Sequence, residues 1–176
     1  FFVTNGKPDY QNLIAQEAQR GHTVAIHSAS HDYAKIYQSV DAYFADFDEM
    51  NSIITAQTGK AADLVRFPGG SSNTISKKYC YGIMSQLVCA VEERGFRYCD
   101  WNVSSGDAGG TTSTSQVVAN VIEGIKSNNV SVVLQHDIKN FSVDAVEQII
   151  QWGLSEGYTF LPMTSTTPMS HHGVNN

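Results

Sequence analysis

No stretch of this sequence approaches the ~20 consecutive apolar residues that span a bilayer, which excludes a membrane-spanning helix from the readings. Positive charge is scarce as well. The 11 Lys plus Arg stand against 17 Asp plus Glu, a formal charge of −6, so no basic surface exists to collect a phosphate backbone or an anionic membrane, and nucleic acid is not an expected partner. The three cysteines, Cys80, Cys89 and Cys99, show no C-x-x-C spacing, which leaves neither a zinc knuckle nor a thioredoxin-like pair. They are expected as buried thiols, with a Cys80 to Cys99 disulfide as the alternative in an exported chain. No G-x-G-x-x-G and no G-x-x-x-x-G-K-[ST] occurs, which disfavours phosphate-cradling open sheets. The opening Phe1-Phe2-Val3-Thr4 has neither an initiator Met nor the basic and apolar regions of a signal peptide, and reads as a processed or excised piece.

What remains is a globular composition: 41% hydrophobic and 16% charged over 176 residues, enough for one domain with a sizeable core. Short β-branched runs alternate with longer amphipathic ones. Strands are expected at Phe1 to Thr4, His22 to His27, Leu64 to Phe67, Phe96 to Val103, Val130 to Leu134 and Tyr158 to Pro162. Helices are expected at Tyr10 to Arg20, Ser39 to Thr58 (capped by Ser39, ended by Gly59), through Ile83, Leu87 and Val91 to Gly95, at Gln116 to Lys126, and at Val143 to Ser155 with Val146, Ile149, Ile150 and Leu154 inward. The run Val130 to Leu134 reads as buried on both faces. Residues 163 to 176 form a polar tail. This alternation implies an α/β fold with parallel strands, closed either as an open doubly wound sheet or as a barrel.

The reactive side chains cluster after strands, as catalytic groups of a parallel barrel do. His27 and His31 form an H-x-x-x-H pair; on a helical turn that spacing puts both imidazoles on one face, ready to offer two nitrogens to Zn²⁺ or a similar ion. Ser28 stands where a zinc protease would carry its Glu, so that chemistry fails. A further carboxylate ligand is needed, and Asp32 or Asp107 are the nearby candidates. Arg66 precedes Pro68-Gly69-Gly70, a turn whose backbone N–H groups can face a developing oxyanion. His136 reads as a proton carrier with Asp107 to orient it. Trp101 either walls a sugar groove or fills the core. His22 reads as structural, and His171 and His172 as solvated tail residues.

In order, His27-Ser28-Ala29-Ser30-His31, Arg66-Phe67-Pro68-Gly69-Gly70, the Asp100-Trp101-Asn102 stretch with Gly106-Asp107, and Val132-Val133-Leu134-Gln135-His136-Asp137 resemble the second to fifth motifs of the polysaccharide deacetylases, the NodB-homology carbohydrate esterases, nearest to peptidoglycan N-acetylglucosamine deacetylases. The resemblance covers the whole chain. It implies an irregular (β/α) barrel of about seven strands, with residues 1 to 162 as an incomplete catalytic domain lacking its first βα unit. It also implies metal-dependent N-deacetylation of a cell-wall polysaccharide with release of acetate. In that reading His27 and His31 bind a divalent metal, Zn²⁺ or Co²⁺, and His136 is the acid supported by Asp107. Arg66 orients a carboxylate base, while Pro68, Gly69, Gly70, Trp101 and Leu134 contact the oxyanion or substrate. The partner is the N-acetylated polymer, the chain is a monomer, and the location is extracellular or cell-surface. Two departures stand out. The family's first motif, T-F-D-D-like, supplies the base and a third metal ligand and has no counterpart here, so two imidazoles alone imply weak metal binding. The fourth motif usually reads D-x-x-D-W, and Ala108 stands in place of its Trp, a role Trp101 could assume. An O-acetyl esterase such as an acetylxylan esterase, or a decayed carbohydrate-binding or scaffold domain, are the alternatives.

Overall fold

Every strand of the protein pairs in parallel. The computed structural model describes residues 1–176. The elements run β1 (Phe2–Thr4), α1 (Asn12–Gln19), β2 (Ala25–Ser28), α2 (Tyr33–Ile36), α3 (Val40–Thr58), β3 (Leu64–Val65), α4 (Ile83–Glu93), β4 (Arg97–Tyr98), β5 (Val103–Ser104), α5 (Thr114–Lys126), β6 (Val133–Leu134) and α6 (Asn140–Ser155). Strands β1 to β4 form one sheet in the order 1-2-3-4, and β5 pairs with β6 in a second. Neighbours in the sheet are neighbours in sequence, as in a singly wound βα barrel; a doubly wound sheet reverses its strand order at a switch point. The expected α/β class holds. The chain divides into two compact units, Phe1–Asp100 with Pro162–Asn176, and Trp101–Leu161.

In the first unit α3 carries the core. Ser39 accepts a hydrogen bond from Ala42 N and Gly59 closes the helix at φ 76°, the left-handed conformation that glycine adopts without a Cβ penalty. Between these caps Tyr43, Phe44, Phe47, Met50 and Ile54 are buried against Ile26, Val65 and Phe67 of the sheet side and Ile83, Met84, Leu87 and Val91 of α4. Each such side chain taken from water contributes about 1.5–3 kcal/mol. Cys99 is buried, Cys80 half-buried and Cys89 exposed, and all three are free thiols. Cys89 therefore departs from the expected buried set: it sits between the inward Leu87 and Val91, so the helix turns it outward.

Several expected elements change. Phe96 to Val103 is two strands, not one. Cys99 N still reaches Val65 O, but Asp100 N donates to Ser170 O at 2.7 Å, and the fully buried Asp100 carboxylate accepts from Ser71 and from His172 N. A buried polar group needs hydrogen-bond partners, and here they take the chain off the ladder. His171 and His172 are therefore not free tail residues: the His171 ring stacks on Tyr98 at 3.9 Å and His172 Nδ1 lies 3.0 Å from Ser72 Oγ.

In the second unit the run Val130 to Leu134 contributes only Val133 and Leu134 to a strand, both half-buried, and Val130 is exposed, because β6 has β5 as its one partner. The inward face of α6 is Ser142, Ala145, Ile149 and Gly153, while Val146, Ile150 and Leu154 are exposed. Small residues let α6 approach α5, whose Val117, Val121 and Ile125 complete this smaller core. Tyr158 to Pro162 forms no strand; Tyr158 N donates to Gly153 O and the Phe160 ring fills the space a Cβ at Gly153 would need.

Candidate active site

The first unit holds the H-x-x-x-H pair, in a form that differs from the helical turn. His27 belongs to β2, and His31 sits in the following loop at φ 53°, the one non-glycine residue with positive φ. Their ring centroids are nevertheless 5.1 Å apart. His27 Nδ1 lies 2.6 Å from the Arg66 carbonyl oxygen. A carbonyl only accepts, so Nδ1 carries a proton, which makes Nε2 the nitrogen that a metal ion would take. Asp32 is occupied elsewhere: it caps α2, accepting from Ala34 N at 2.9 Å.

The loop is held from beneath by a residue the sequence reading missed. Asp46, 3% exposed on the inner face of α3, accepts from Ser28 Oγ at 2.6 Å, from the backbone N–H of Ala29 and Ser30 at 2.8 Å, and from Ser30 Oγ. Burial pushes its carboxyl upward, but the Ser28 and Ser30 hydroxyls and the two backbone donors outweigh that and hold it below the usual range. The signal was present. A carboxylate between Tyr43 and Phe47 shares the spacing of the apolar stripe, where a charge needs a specific partner.

Arg66 is buried. Its guanidinium donates to the carbonyl oxygens of Cys99 at 2.9 Å and Asp100 at 2.8 Å and lies 4.1 Å over the Phe2 ring. Beyond it, Gly69 and Gly70 have φ of 79° and 78°, and a Cβ at Gly69 would stand 2.7 Å from the Tyr33 hydroxyl. The turn is fastened by Tyr37 OH donating to Pro68 O and by Asn73 Nδ2 donating to Gly70 O. Gly69 itself is exposed.

In the second unit Asp107, 1% exposed, accepts from His136 N at 2.7 Å, from His136 Nδ1 at 2.8 Å and from Ser142 Oγ at 2.6 Å; Lys139 Nζ donates to its carbonyl oxygen. Burial raises the Asp107 carboxyl, and the Ser142 and His136 hydrogen bonds reverse this, leaving it lowered. An ionised Asp107 only accepts, so His136 Nδ1 carries a proton toward it, on a ring that is half-exposed. Leu134 and Trp101 are half-buried. Nothing in the sequence singled out Ser142.

His27 and His31 suit two positions of a borderline divalent ion by donor type, and the Nδ1 contact of His27 assigns its Nε2 to that role. They form a pair, since no group of three or more His, Cys, Asp or Glu is assembled anywhere in the chain, and neither Asp32 nor Asp107 completes one. No helix is long and apolar enough to cross a membrane.

Comparison with known proteins bears on this arrangement. A family described as "Polysaccharide deacetylase" matches residues 1–81. The crystal structure of the catalytic domain of a peptidoglycan N-acetylglucosamine deacetylase from Eubacterium rectale is 70% identical, with a TM-score of 0.99 over 100% of this chain and 80% of that one. The polysaccharide deacetylase Bc1974 from Bacillus cereus is 28% identical at a TM-score of 0.81, over 97% of this chain and 81% of that one. A peptidoglycan-N-acetylglucosamine deacetylase of Bacillus cereus is 28% identical over 165 residues, 91% of this chain and 57% of the relative. The chain thus spans less than two thirds of that curated relative.

Proposed function

The chain belongs to the polysaccharide deacetylase family, and from that membership we propose that it forms part of a hydrolase that removes N-acetyl groups from N-acetylglucosamine units of peptidoglycan, releasing acetate. The observation that carries the chemistry is the His136 to Asp107 hydrogen bond at 2.8 Å, which prepares an imidazole whose outward nitrogen can pass a proton. His27 and His31 would hold a divalent cation, Zn²⁺ or Co²⁺, which when bound lowers the pKa of a water ligand and polarises the acetyl carbonyl.

The chain's own residues supply the rest. The backbone of the exposed Gly69 would donate to the oxyanion of the tetrahedral intermediate. His136 Nε2 would protonate the departing sugar amine, so that the C–N bond breaks to give free amine and acetate. Asp107 stabilises the imidazolium before that transfer and keeps the ring oriented. Arg66 would orient a carboxylate base; the family's base-bearing motif has no match among these residues. Trp101 and Leu134 would line the sugar site. Action on the cell wall implies an extracellular or cell-surface location.

Acetate release from N-acetylglucosamine oligomers by the complete gene product, loaded with Zn²⁺ or Co²⁺, tests this reading, with O-acetylated xylan as the comparison substrate. Release from the N-acetyl substrate that falls about 100-fold or more in His136→Ala supports it. No release, or an unchanged rate in the variant, sinks it.

A further inference from the structure

Three residues separate His27 from His31, and Asp46 binds all of them. Ser28 gives its hydroxyl, Ala29 its backbone N–H, and Ser30 both. The chain extends one step further: Ser28 Oγ, while donating to Asp46, accepts from His31 N at 2.8 Å. His31 is the residue held at φ 53°, a conformation uncommon for a non-glycine side chain that persists where the surroundings over-determine it. Its backbone partner is Ser28, held in turn by the Asp46 carboxylate, and the Tyr33 ring lies 5.7 Å from its imidazole. That carboxylate projects from the middle of α3, among Tyr43, Phe44 and Phe47, where an unpaired charge would be strongly disfavoured. The near approach of the two imidazoles therefore comes from a helix that bears neither of them.

We propose that Asp46 is a positioning residue for cation binding: it wraps the Ser28 to Ser30 loop around its carboxylate and so brings His27 and His31 to a common ion. This rests on the reading of the two histidines as cation ligands. The role is to set geometry in advance, because a two-imidazole site whose loop is free must lose loop entropy on binding the ion. Asp46→Asn keeps the volume but turns one acceptor into a donor facing donors.

Zn²⁺ titration of the 176-residue chain, followed by the imidazole ¹⁵N resonances of His27 and His31 with thermal melting in parallel, tests this. In the unsubstituted chain both rings should shift together. In Asp46→Asn the apparent affinity should fall by ~10–100-fold, the range seen for outer partners of metal ligands, and the two rings should cease to respond in concert, with the far-ultraviolet circular dichroism unchanged. A folded Asp46→Asn with affinity within about twofold overturns the proposal. Should that variant not fold, Ser30→Ala, which removes one donor from an exposed side chain, should still weaken Zn²⁺ binding severalfold, and unchanged affinity there overturns it too. If Zn²⁺ moves neither ring in the unsubstituted chain, the ligand reading fails and this proposal with it.

Discussion

Asp107 and Asp46 are carboxylates placed where water scarcely reaches, and each remains ionised because hydroxyl and backbone donors take over the work of solvent. Both have folded-state pKa values below that of an ordinary carboxyl, so the direction of their linkage follows. Their stabilisation is fully present above the unfolded value of about 3.9 and is lost as pH falls through the lower folded value. Urea denaturation of Asp107→Ala should accordingly show a clear loss of stability at pH 7 that shrinks as pH falls below about 3.9; a deficit of constant size as pH falls would contradict the account. His136 and Asp107 were recognisable from sequence because each follows a strand and carries a chemistry seldom left unused. Asp46 was not recognised, since it sits inside a helix whose other inward residues read as core. Its partners are 16 to 18 residues upstream, and that pairing exists only once α3 has packed on β2.

At the level of elements, local signals were legible where the chain states both ends of a segment. α3 is the plain example: Ser39 and Gly59 bound it, and the structure places its helix between them. α6 shows the limit. Of the residues that looked inward, Ile149 is buried, but Val146, Ile150 and Leu154 are exposed and Ala145 and Gly153 are buried in their stead, because the close approach of neighbouring segments is invisible in a one-dimensional pattern. Close approach also governs Gly124 of α5, where a Cβ would stand 2.5 Å from Val103 Cγ1 of β5. Replacing a mid-helix glycine by alanine ordinarily gains roughly 0.5–1 kcal/mol, but overpacking of this kind costs ~1–3 kcal/mol. Gly124→Ala should therefore lower the thermal midpoint, and should become neutral or stabilising in a Val103→Ala background. A raised midpoint with Val103 intact would show that the contact yields. The broken strand between Tyr98 and Val103 was hidden for a different reason: the donors to the Asp100 carboxylate come from Ser71 and His172, and the acceptor for its N–H from Ser170, far away in sequence.

For the whole molecule, the two units differ in how much apolar surface they hide. Phe1–Asp100 with Pro162–Asn176 contains the larger core, built on α3, α4 and the four-stranded sheet, whereas Trp101–Leu161 relies on the α5 and α6 contact and a two-stranded pair. Local opening free energy follows buried contacts, so amides of α3 should exchange with deuterium more slowly than those of α5 and α6. Mass-spectrometric exchange with slower protection loss in α5 and α6 than in α3 would refute this. The first unit is also discontinuous, and that has a consequence in time. During synthesis, residues 1 to 100 emerge well before residues 162 to 176, which bring the backbone that binds Asp100 and the Asn176 amide that binds Gly82 and Ser76. At roughly 5–20 residues per second, several seconds of translation pass while the buried Asp100 carboxylate waits for its last donors. The nascent unit therefore carries an incomplete seam beside the Arg66 turn until residues 162 to 176 arrive.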